Sequence, residues 1–248
     1  NAQTPLLHIA DVSGSALFNA DCMDVLPLIP DKSVQLILAD LPYGTTNLKW
    51  DSVLDLNKLW QEYERIITDN GAIVLTASQP FTTVLINSNP TLFKYEWIWL
   101  KDKPNKMPMK YHENVLVFYK KQPKYNKQME KRDGGGKRYK YAVNYKNQQS
   151  EHLTLKNGAK FFDMELKNPS SVQKFSTGRR QDLKHPTQKP LEMMKYFIAT
   201  YSDENDYVLD NTMGVGTTCL GAKELNRKFI GIEKEPKYYE IACRRCGF

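Results

Sequence analysis

The sequence has few cysteines and no long apolar segment, and both absences narrow the class of protein. Its 4 cysteines are too few and too scattered for a disulfide framework. Only Cys243 and Cys246 are close together, and without a second pair of ligands they do not define a zinc site, so no metal is predicted. No segment reaches the roughly 18 apolar residues of a membrane span, and the first residues do not resemble a signal peptide. We therefore expect a cytoplasmic protein with reduced thiols and no membrane partner.

Charge is distributed unevenly along the 248 residues. Residues 120–184 contain 17 Lys and Arg against 6 Asp and Glu, a local balance of +11, whereas the rest of the chain contains 18 against 22, a balance of −4. A basic segment of this kind suits a surface that meets a polyanion. On composition alone, a solvated face or a disordered loop explains it equally well.

The hydrophobic content of 41% predicts one α/β domain with a sizeable core and an insertion. Strand and helix periodicities alternate, as in a parallel sheet. Strands are expected to begin near residues 16, 34, 72, 208 and 229, with an antiparallel pair at the sheet edge (95–101 and 113–120) joined by a loop over 103–111. Helices are expected to end near residue 28, to run from 54 until Asn70 and Gly71 stop the helix, to cover 191–201 after Pro190, and to end near 225.

The stretch over residues 34–44, VQLILADLPYG, is the strongest local signal in the chain. Its short apolar run is stopped by Pro42 and Gly44, which favours a buried parallel strand over a helix. Ligands of open α/β sheets bind outside the carboxyl ends of such strands. Asp40 therefore stands where chemistry is expected, although for an isolated motif an Asp that merely caps a turn would be the simpler interpretation.

A second apolar run, at residues 208–218, ends in a turn that contains Gly214 and Gly216, and HPTQKP precedes it at residues 185–190. Together these motifs resemble those of the β group of S-adenosylmethionine-dependent DNA amino-methyltransferases, whose signatures are Asp-Pro-Pro-Tyr, His-Pro-Thr-x-Lys-Pro and Phe-x-Gly-x-Gly. The order of the three motifs matches as well, and the resemblance spans most of the chain. This sequence departs from the family pattern at Leu41, where Pro is usual, and at Thr212, where Phe is common.

The resemblance implies a Rossmann-like methyltransferase fold, with a mostly parallel sheet, an antiparallel edge strand and a basic target-recognition insert. It divides the chain into a catalytic half at 1–120, the insert at 121–184 and a cofactor-binding half at 185–248. S-adenosylmethionine is the implied cofactor and double-stranded DNA the implied partner. In the insert, Lys and Arg would hold phosphates, and the glycines at 134–136 would allow a loop to order on DNA. The oligomeric state stays open between a monomer and a homodimer.

The resemblance also implies a cofactor site at the ends of several strands. In the family, the acid matched by Asp21 contacts the adenine of the cofactor, although an Asp before a helix is equally suited to be an N-cap. Glu233, at a strand end, is placed to accept hydrogen bonds from ribose hydroxyls. A dinucleotide site would need a glycine where Cys219 stands, so a dehydrogenase is disfavoured. The predicted cofactor residues are Asp21, Cys22, Asp40, Lys189, Asp210, Thr212, Gly214, Gly216, Thr217, Thr218 and Glu233.

The predicted catalytic residues are Asp40, Leu41, Pro42 and Tyr43. The Asp40 carboxylate and the Leu41 carbonyl would accept the two hydrogens of an exocyclic amine, while Tyr43 would stack on a base that has left the helix. Asp at position 40 resembles adenine-N6 enzymes more than cytosine-N4 enzymes, and the absence of a Pro-Cys pair disfavours cytosine-C5 chemistry. Two alternatives stay open, methylation of a protein amide or RNA, and a non-catalytic DNA-binding relative with the same fold.

Overall fold

The computed structural model describes residues 7–11, 13–42, 54–105, 108–132, 166–177 and 188–248. The chain divides into two units, one formed by Asn1–Asn126 with Ser171–Phe248 and the other by Lys127–Ser170. Among the described residues, no helix has both the length and the apolar character that crossing a membrane requires. Tyr43 and the glycines at 134–136 lie outside the described residues, as does most of the predicted insert.

The strands of the described chain are β1 (Leu7–Ala10), β2 (Ala16–Asn19), β3 (Val34–Ala39), β4 (Ile67–Ala77), β5 (Phe93–Asn105), β6 (Lys110–Phe118), β7 (Glu130–Lys131), β8 (Leu166–Lys167), β9 (Val172–Phe175), β10 (Tyr207–Asp210) and β11 (Lys228–Glu233). The helices are α1 (Cys22–Val25), continued by a 3₁₀ turn at Leu26–Leu28, α2 (Leu56–Ile66), α3 (Phe81–Ser88), α4 (Leu191–Tyr201), α5 (Thr217–Glu224) and α6 (Pro236–Cys246).

One sheet of the larger unit has the strand order β1-β2-β11-β10-β3-β4-β6-β5-β9. Its centre, from β2 to β4, is parallel, and β6 pairs antiparallel with both β4 and β5. The mostly parallel α/β fold with an antiparallel pair is therefore confirmed. Because the carboxyl ends of β2, β11, β10 and β3 share one edge, the polar residues that follow these strands meet there.

Two apolar layers cover the sheet. Leu36 and Leu38 on β3 pack in one layer with helices α4, α5 and α6, and Ile37 packs in the other with α1 and α2. Every residue from Leu36 to Ala39 is fully buried. This burial on both faces explains why the sequence of β3 is a continuous apolar run instead of an alternating one.

The end of helix α2 was predicted wrongly. The helix starts as expected, with Asp55 accepting from the backbone N–H groups of Asn57 and Lys58, but it ends at Ile66, and β4 begins at Ile67. Ile67 pairs with Val34, and the register shifts before the next pair. A Cβ at Gly71 would lie 2.9 Å from the carbonyl oxygen of Gln35. Gly71 therefore permits a close approach of two strands at this irregularity and does not stop a helix.

The edges of the sheet also differ from the prediction. Strand β9, which lies in the segment predicted to be an insert, pairs parallel with β5, with Ile98 opposite Val172. The antiparallel pair is confirmed, but β9 forms the edge. The strands of that pair are longer than expected: β5 continues to Asn105, and β6 begins at Lys110. On the opposite side, β1 adds an antiparallel strand that the periodicity did not reveal.

The smaller unit contains the short antiparallel pair β7 and β8. Glu130 accepts a hydrogen bond of 3.0 Å from the backbone N–H of Ser170 and lies 3.6 Å from the ammonium nitrogen of Lys167. These contacts join the two described segments of this unit, 127–132 and 166–170.

Candidate active site

A cavity of about 170 Å³ opens at the carboxyl ends of β2, β3, β10 and β11. Three of the predicted catalytic residues and ten of the predicted cofactor residues line it. They are Asp21, Cys22, Asp40, Leu41, Pro42, Lys189, Asp210, Thr212, Gly214, Thr217, Thr218 and Glu233. Other lining residues were not predicted from the sequence, among them Asn211, Met213, Ile232 and Tyr238.

Gly214 and Gly216 in the turn after β10 have different surroundings. Both have left-handed backbone angles, with φ of 52° at Gly214 and 73° at Gly216, a conformation that glycine adopts without strain. A Cβ at Gly214 would meet no atom within 4 Å, whereas one at Gly216 would lie 2.8 Å from the Cβ of Ala242 on α6. Gly216, which is not among the lining residues, thus allows helix packing, and Gly214 leaves open space for a ligand to approach the backbone.

Glu233 is fixed in place by two backbone donors. Its Oε2 accepts from the N–H of Gly214 at 2.9 Å and its Oε1 from the N–H of Glu235 at 2.8 Å. Burial raises the pKa of this carboxyl, against the effect of these two hydrogen bonds. Each oxygen keeps a second lone pair, so Glu233 can still accept hydrogen bonds from the hydroxyl groups of a ribose.

Asp210 is nearly inaccessible, with 4% of its surface exposed. Its pKa is raised to about 7, mainly by burial and also by the charges of Asp40 and Glu233, while the nearby hydroxyl of Thr218 and the backbone N–H of Thr212 act in the opposite direction. The N–H of Thr212 lies 3.1 Å from Oδ1 of Asp210. A buried carboxyl with such a pKa is typical of functional sites, because an ordinary packing position seldom retains it.

Asp21 serves as a helix cap and also lines the cavity. Its Oδ1 accepts a hydrogen bond of 2.9 Å from the N–H of Met23 at the start of α1. The next residue, Cys22, is buried, and burial raises the pKa of its thiol to about 11. Cys22 is therefore a neutral thiol that contributes apolar surface, whereas Asp21 contributes a carboxylate with one oxygen outside the cap.

Asp40 follows the end of β3, and its carboxylate is oriented by donors from two distant segments. The hydroxyl of Thr76, at the end of β4, donates to Oδ1, and the ammonium group of Lys189 donates to Oδ2 at 2.7 Å. The side chain of Asp40 remains 25% exposed. The hydroxyl of Thr212 donates to the backbone carbonyl of Asp40 at 3.1 Å, which connects this residue to the glycine turn.

Leu41 and Pro42 continue the chain along the cavity wall. The side chain of Leu41 is 2% exposed and packs in the core layer that contains Ile37. An apolar side chain at position 41 is therefore anchored in the protein, so the departure from the family's proline keeps the backbone fixed. The predicted stacking residue Tyr43 lies outside the described residues.

Two of these contacts could not be found from spacing. Thr76 is a polar residue within the apolar run of β4, and its polarity is the only sequence signal for its role. Lys189 was predicted to bind the cofactor, and in the structure it lines the cavity and pairs with Asp40.

The donor and acceptor set fits S-adenosylmethionine. The carboxylates of Asp21, Asp210 and Glu233 suit an amino group and ribose hydroxyls, and Ile232 and Met213 supply apolar surface to the cavity. The open space beside Gly214 allows a bound molecule to approach the turn. The α/β fold and the cavity thus suit a transferase that uses a nucleoside cofactor, and the carboxylate of Asp40 lies in the cavity wall.

A family model described as DNA methylase, covering enzymes of the N6 and N4 type, matches residues 34–244. The chain therefore belongs to this family of S-adenosylmethionine-dependent DNA amino-methyltransferases, as the three motifs predicted. The Type II methyltransferase M.BglII of Bacillus subtilis is 29% identical over 252 residues, which cover 91% of this chain and 67% of the relative. M.HinfI of Haemophilus influenzae is 28% identical over 265 residues, which cover 93% of this chain and 68% of the relative.

Solved structures show the same fold. The M1.HpyAVI–SAM complex matches with a TM-score of 0.61 and 23% identity, covering 94% of this chain and 98% of that chain. The PvuII DNA methyltransferase, described as cytosine-N4-specific, matches with a TM-score of 0.60 and 17% identity, covering 92% of this chain and 85% of that chain.

Proposed function

We propose that this DNA methyltransferase acts on N6 of adenine in double-stranded DNA. The observation that carries the proposal is the position of Asp40, whose partly exposed carboxylate opens into the same cavity as Gly214 and Glu233. An aspartate at this place resembles adenine-N6 enzymes. Residues 121–184, with their excess of Lys and Arg, are proposed to bind the DNA.

The methyl donor, when bound, supplies an activated methyl group on a sulfonium, so no covalent enzyme intermediate is needed. The protein must hold a weakly nucleophilic amine in line with that methyl group. We assign one hydrogen of the amine to the Asp40 carboxylate and the other to the Leu41 carbonyl, which favours the pyramidal, nucleophilic form of the nitrogen. The transferred methyl group would replace one hydrogen of the amine, and that hydrogen would leave as a proton to water at the open cavity.

The hydrogen bonds around Asp40 support its proposed role as an acceptor for the substrate amine, because they hold its carboxylate in place. Thr76 and Lys189 each donate to a different carboxylate oxygen, so the carboxylate plane is fixed before the substrate arrives. A pre-organised acceptor of this kind lowers the barrier, because the carboxylate itself need not turn in the reaction. Tyr43, two residues after Leu41 in the chain, is assigned the stacking of the extruded base.

Cytosine-N4 methylation is the second candidate. It is favoured by the similarity in fold to the PvuII enzyme, which is described as cytosine-N4-specific. Both reactions methylate an exocyclic amine of a nitrogen heterocycle, and the site described above would accept either amine.

The test is to incubate the protein with methyl-labelled S-adenosylmethionine and genomic DNA that has been amplified in vitro and so carries no methyl groups. Enzymatic digestion to nucleosides then shows which base carries the label. Label in N6-methyladenine supports the proposal, and label in N4-methylcytosine supports the second candidate. Tight binding of the cofactor without label in any DNA would indicate a non-catalytic relative.

A further inference from the structure

Lys189 lies between two carboxylates, only one of which belongs to the proposed catalytic motif. Its ammonium nitrogen is 2.7 Å from Oδ2 of Asp40 and 3.4 Å from Oε2 of Glu113 on β6. The other oxygen of Glu113, Oε1, accepts from the ammonium group of Lys101 on β5. Four charges of alternating sign thus run from the end of β3 to the antiparallel pair of β6 and β5.

These side chains are largely removed from water. The exposed fraction is 8% for Lys189, 13% for Glu113 and 15% for Lys101. Burial by itself raises the pKa of Glu113, but the charges of Lys189 and Lys101 lower it below its ordinary value, so Glu113 is an anion. Buried ion pairs seldom add net stability over apolar packing, because removing the charges from water is costly. Their presence beside a reactive carboxylate suggests a role in fixing geometry.

One oxygen atom in this row of charged groups lacks a hydrogen-bond donor in the part of the chain that the structure describes. Oε2 of Glu113 is buried and accepts no hydrogen bond within the described residues, although the ammonium group of Lys189 is close by. Leaving a buried acceptor without a donor is unfavourable, because the acceptor has lost its hydrogen bonds to water. A small rotation of the ammonium group toward Glu113 would satisfy it.

We propose that Glu113 is a positioning residue that acts through Lys189 on Asp40. This inference rests on the proposed function, in which a substrate amine donates to the Asp40 carboxylate. When that amine arrives, the ammonium group of Lys189 turns from Oδ2 of Asp40 to Oε2 of Glu113. The exchange removes a competing donor from Oδ2 of Asp40 and lets the ammonium group of Lys189 keep a carboxylate partner in the buried site.

Glu113→Gln tests the exchange, because the amide keeps the shape of the side chain and removes its charge. Without the second anion, Lys189 stays on Asp40 and competes with the amine. We expect the single-turnover rate of methyl transfer to unmethylated genomic DNA to fall about tenfold to a hundredfold. The calorimetric affinity for S-adenosylmethionine should stay the same. Glu113→Asp keeps the charge on a shorter side chain and should retain more of the rate than Glu113→Gln.

A double-variant cycle with Lys189→Met distinguishes this role from a structural one. If Glu113 acts through Lys189, adding Glu113→Gln to Lys189→Met causes no further loss of rate, whereas independent effects multiply. Glu62→Gln is the matched control, because Glu62 is also partly buried, at 22% exposure, in a salt bridge with Arg65 on α2. Glu62→Gln should change the stability of the protein and leave the rate of methyl transfer unchanged. Thermal unfolding measures the stability of every variant.

A wild-type rate in Glu113→Gln, or multiplicative losses in the double variant, would overturn the positioning role while leaving the proposed function intact. No transfer to DNA by the wild-type protein would contradict the proposed function, and the inference with it.

Discussion

The hydroxyl group of Tyr63 on α2 donates a hydrogen bond of 2.5 Å to the side-chain carbonyl of Asn211, which follows the last residue of β10. Tyr63 is fully buried, Asn211 is 1% exposed, and Asn211 also lines the cavity. The contact connects helix α2 with the start of the glycine turn, 148 positions later in the chain.

Tyr63→Phe should therefore destabilise the protein by about 1–3 kcal/mol, since it leaves a buried carbonyl without a donor. Chemical denaturation measures the change in the free energy of unfolding. Tyr207→Phe is the matched control, because the hydroxyl of Tyr207 makes a longer bond of 3.3 Å to Gly14 at an exposed position. We expect the control to change stability by less than about 0.5 kcal/mol, and an equal effect in both variants would contradict the importance of the buried contact.

Glu233→Ala should weaken the binding of S-adenosylmethionine by about 1–3 kcal/mol, the usual effect of losing an acceptor in a charge-assisted hydrogen bond. Titration calorimetry gives the affinity directly. Glu235→Ala is the control, because Glu235 is exposed and its contact with Glu233 is made by the backbone N–H. Unchanged affinity in Glu233→Ala would remove this residue from the site.

Asp210→Asn should change how stability depends on pH. The pKa of Asp210 is about 7 in the folded protein against an ordinary value of 3.8, so the folded state holds the proton more tightly than the unfolded state. Its contribution is fully present below pH 3.8 and is lost as pH rises to about 7. The neutral Asn avoids that loss, so the variant should match the wild type near pH 4 and exceed it by roughly 1–4 kcal/mol at pH 8.

Urea denaturation at a series of pH values measures this difference. The same substitution should weaken cofactor binding at pH 8, where the wild-type Asp210 carries its charge. A constant difference in stability between pH 4 and pH 8 would show that Asp210 does not titrate in this range.

Asp40→Ala should reduce the rate of methyl transfer about a hundredfold to a thousandfold, which corresponds to roughly 3–4 kcal/mol in the barrier. The substrate amine loses an acceptor that acts mainly in the transition state, so cofactor affinity should change little. Asp40→Asn keeps a carbonyl acceptor and should retain more activity than Asp40→Ala. Single-turnover transfer of labelled methyl to DNA is the assay, and near-normal turnover by Asp40→Ala would exclude the catalytic role.

The affinity for duplex DNA should fall steeply with salt, because residues 120–184 carry a balance of +11. Replacing Lys137, Arg138 and Lys140 together by Gln should make the slope of log K against log salt shallower, by up to about 0.9 for each phosphate contact that is lost. Fluorescence anisotropy over a salt series measures the slope. Cofactor affinity is the internal control, and a slope that does not change would place DNA binding elsewhere.

Much of the fold and the site could be predicted from local sequence. Apolar runs that end in an acid predicted the strands before Asp40 and Asp210, since buried parallel strands have continuous apolar sequences and deliver polar residues to one edge. Pro190 predicted the start of α4, and the glycines at 214 and 216 predicted the turn after β10. These features depend on residues close together in the sequence, so they can be predicted without the tertiary structure.

Other features appeared only in the tertiary structure, because they depend on residues far apart in sequence. Lys189 is 149 positions from Asp40, and Thr76 is 36 positions from it. Packing of the strands, which no periodicity encodes, sets these distances. The same holds for Gly71, which was predicted to stop a helix and instead permits a close approach of β3 and β4. The sequence thus determined which chemical groups reach the edge of the sheet, while the packing of distant strands decided which of them touch.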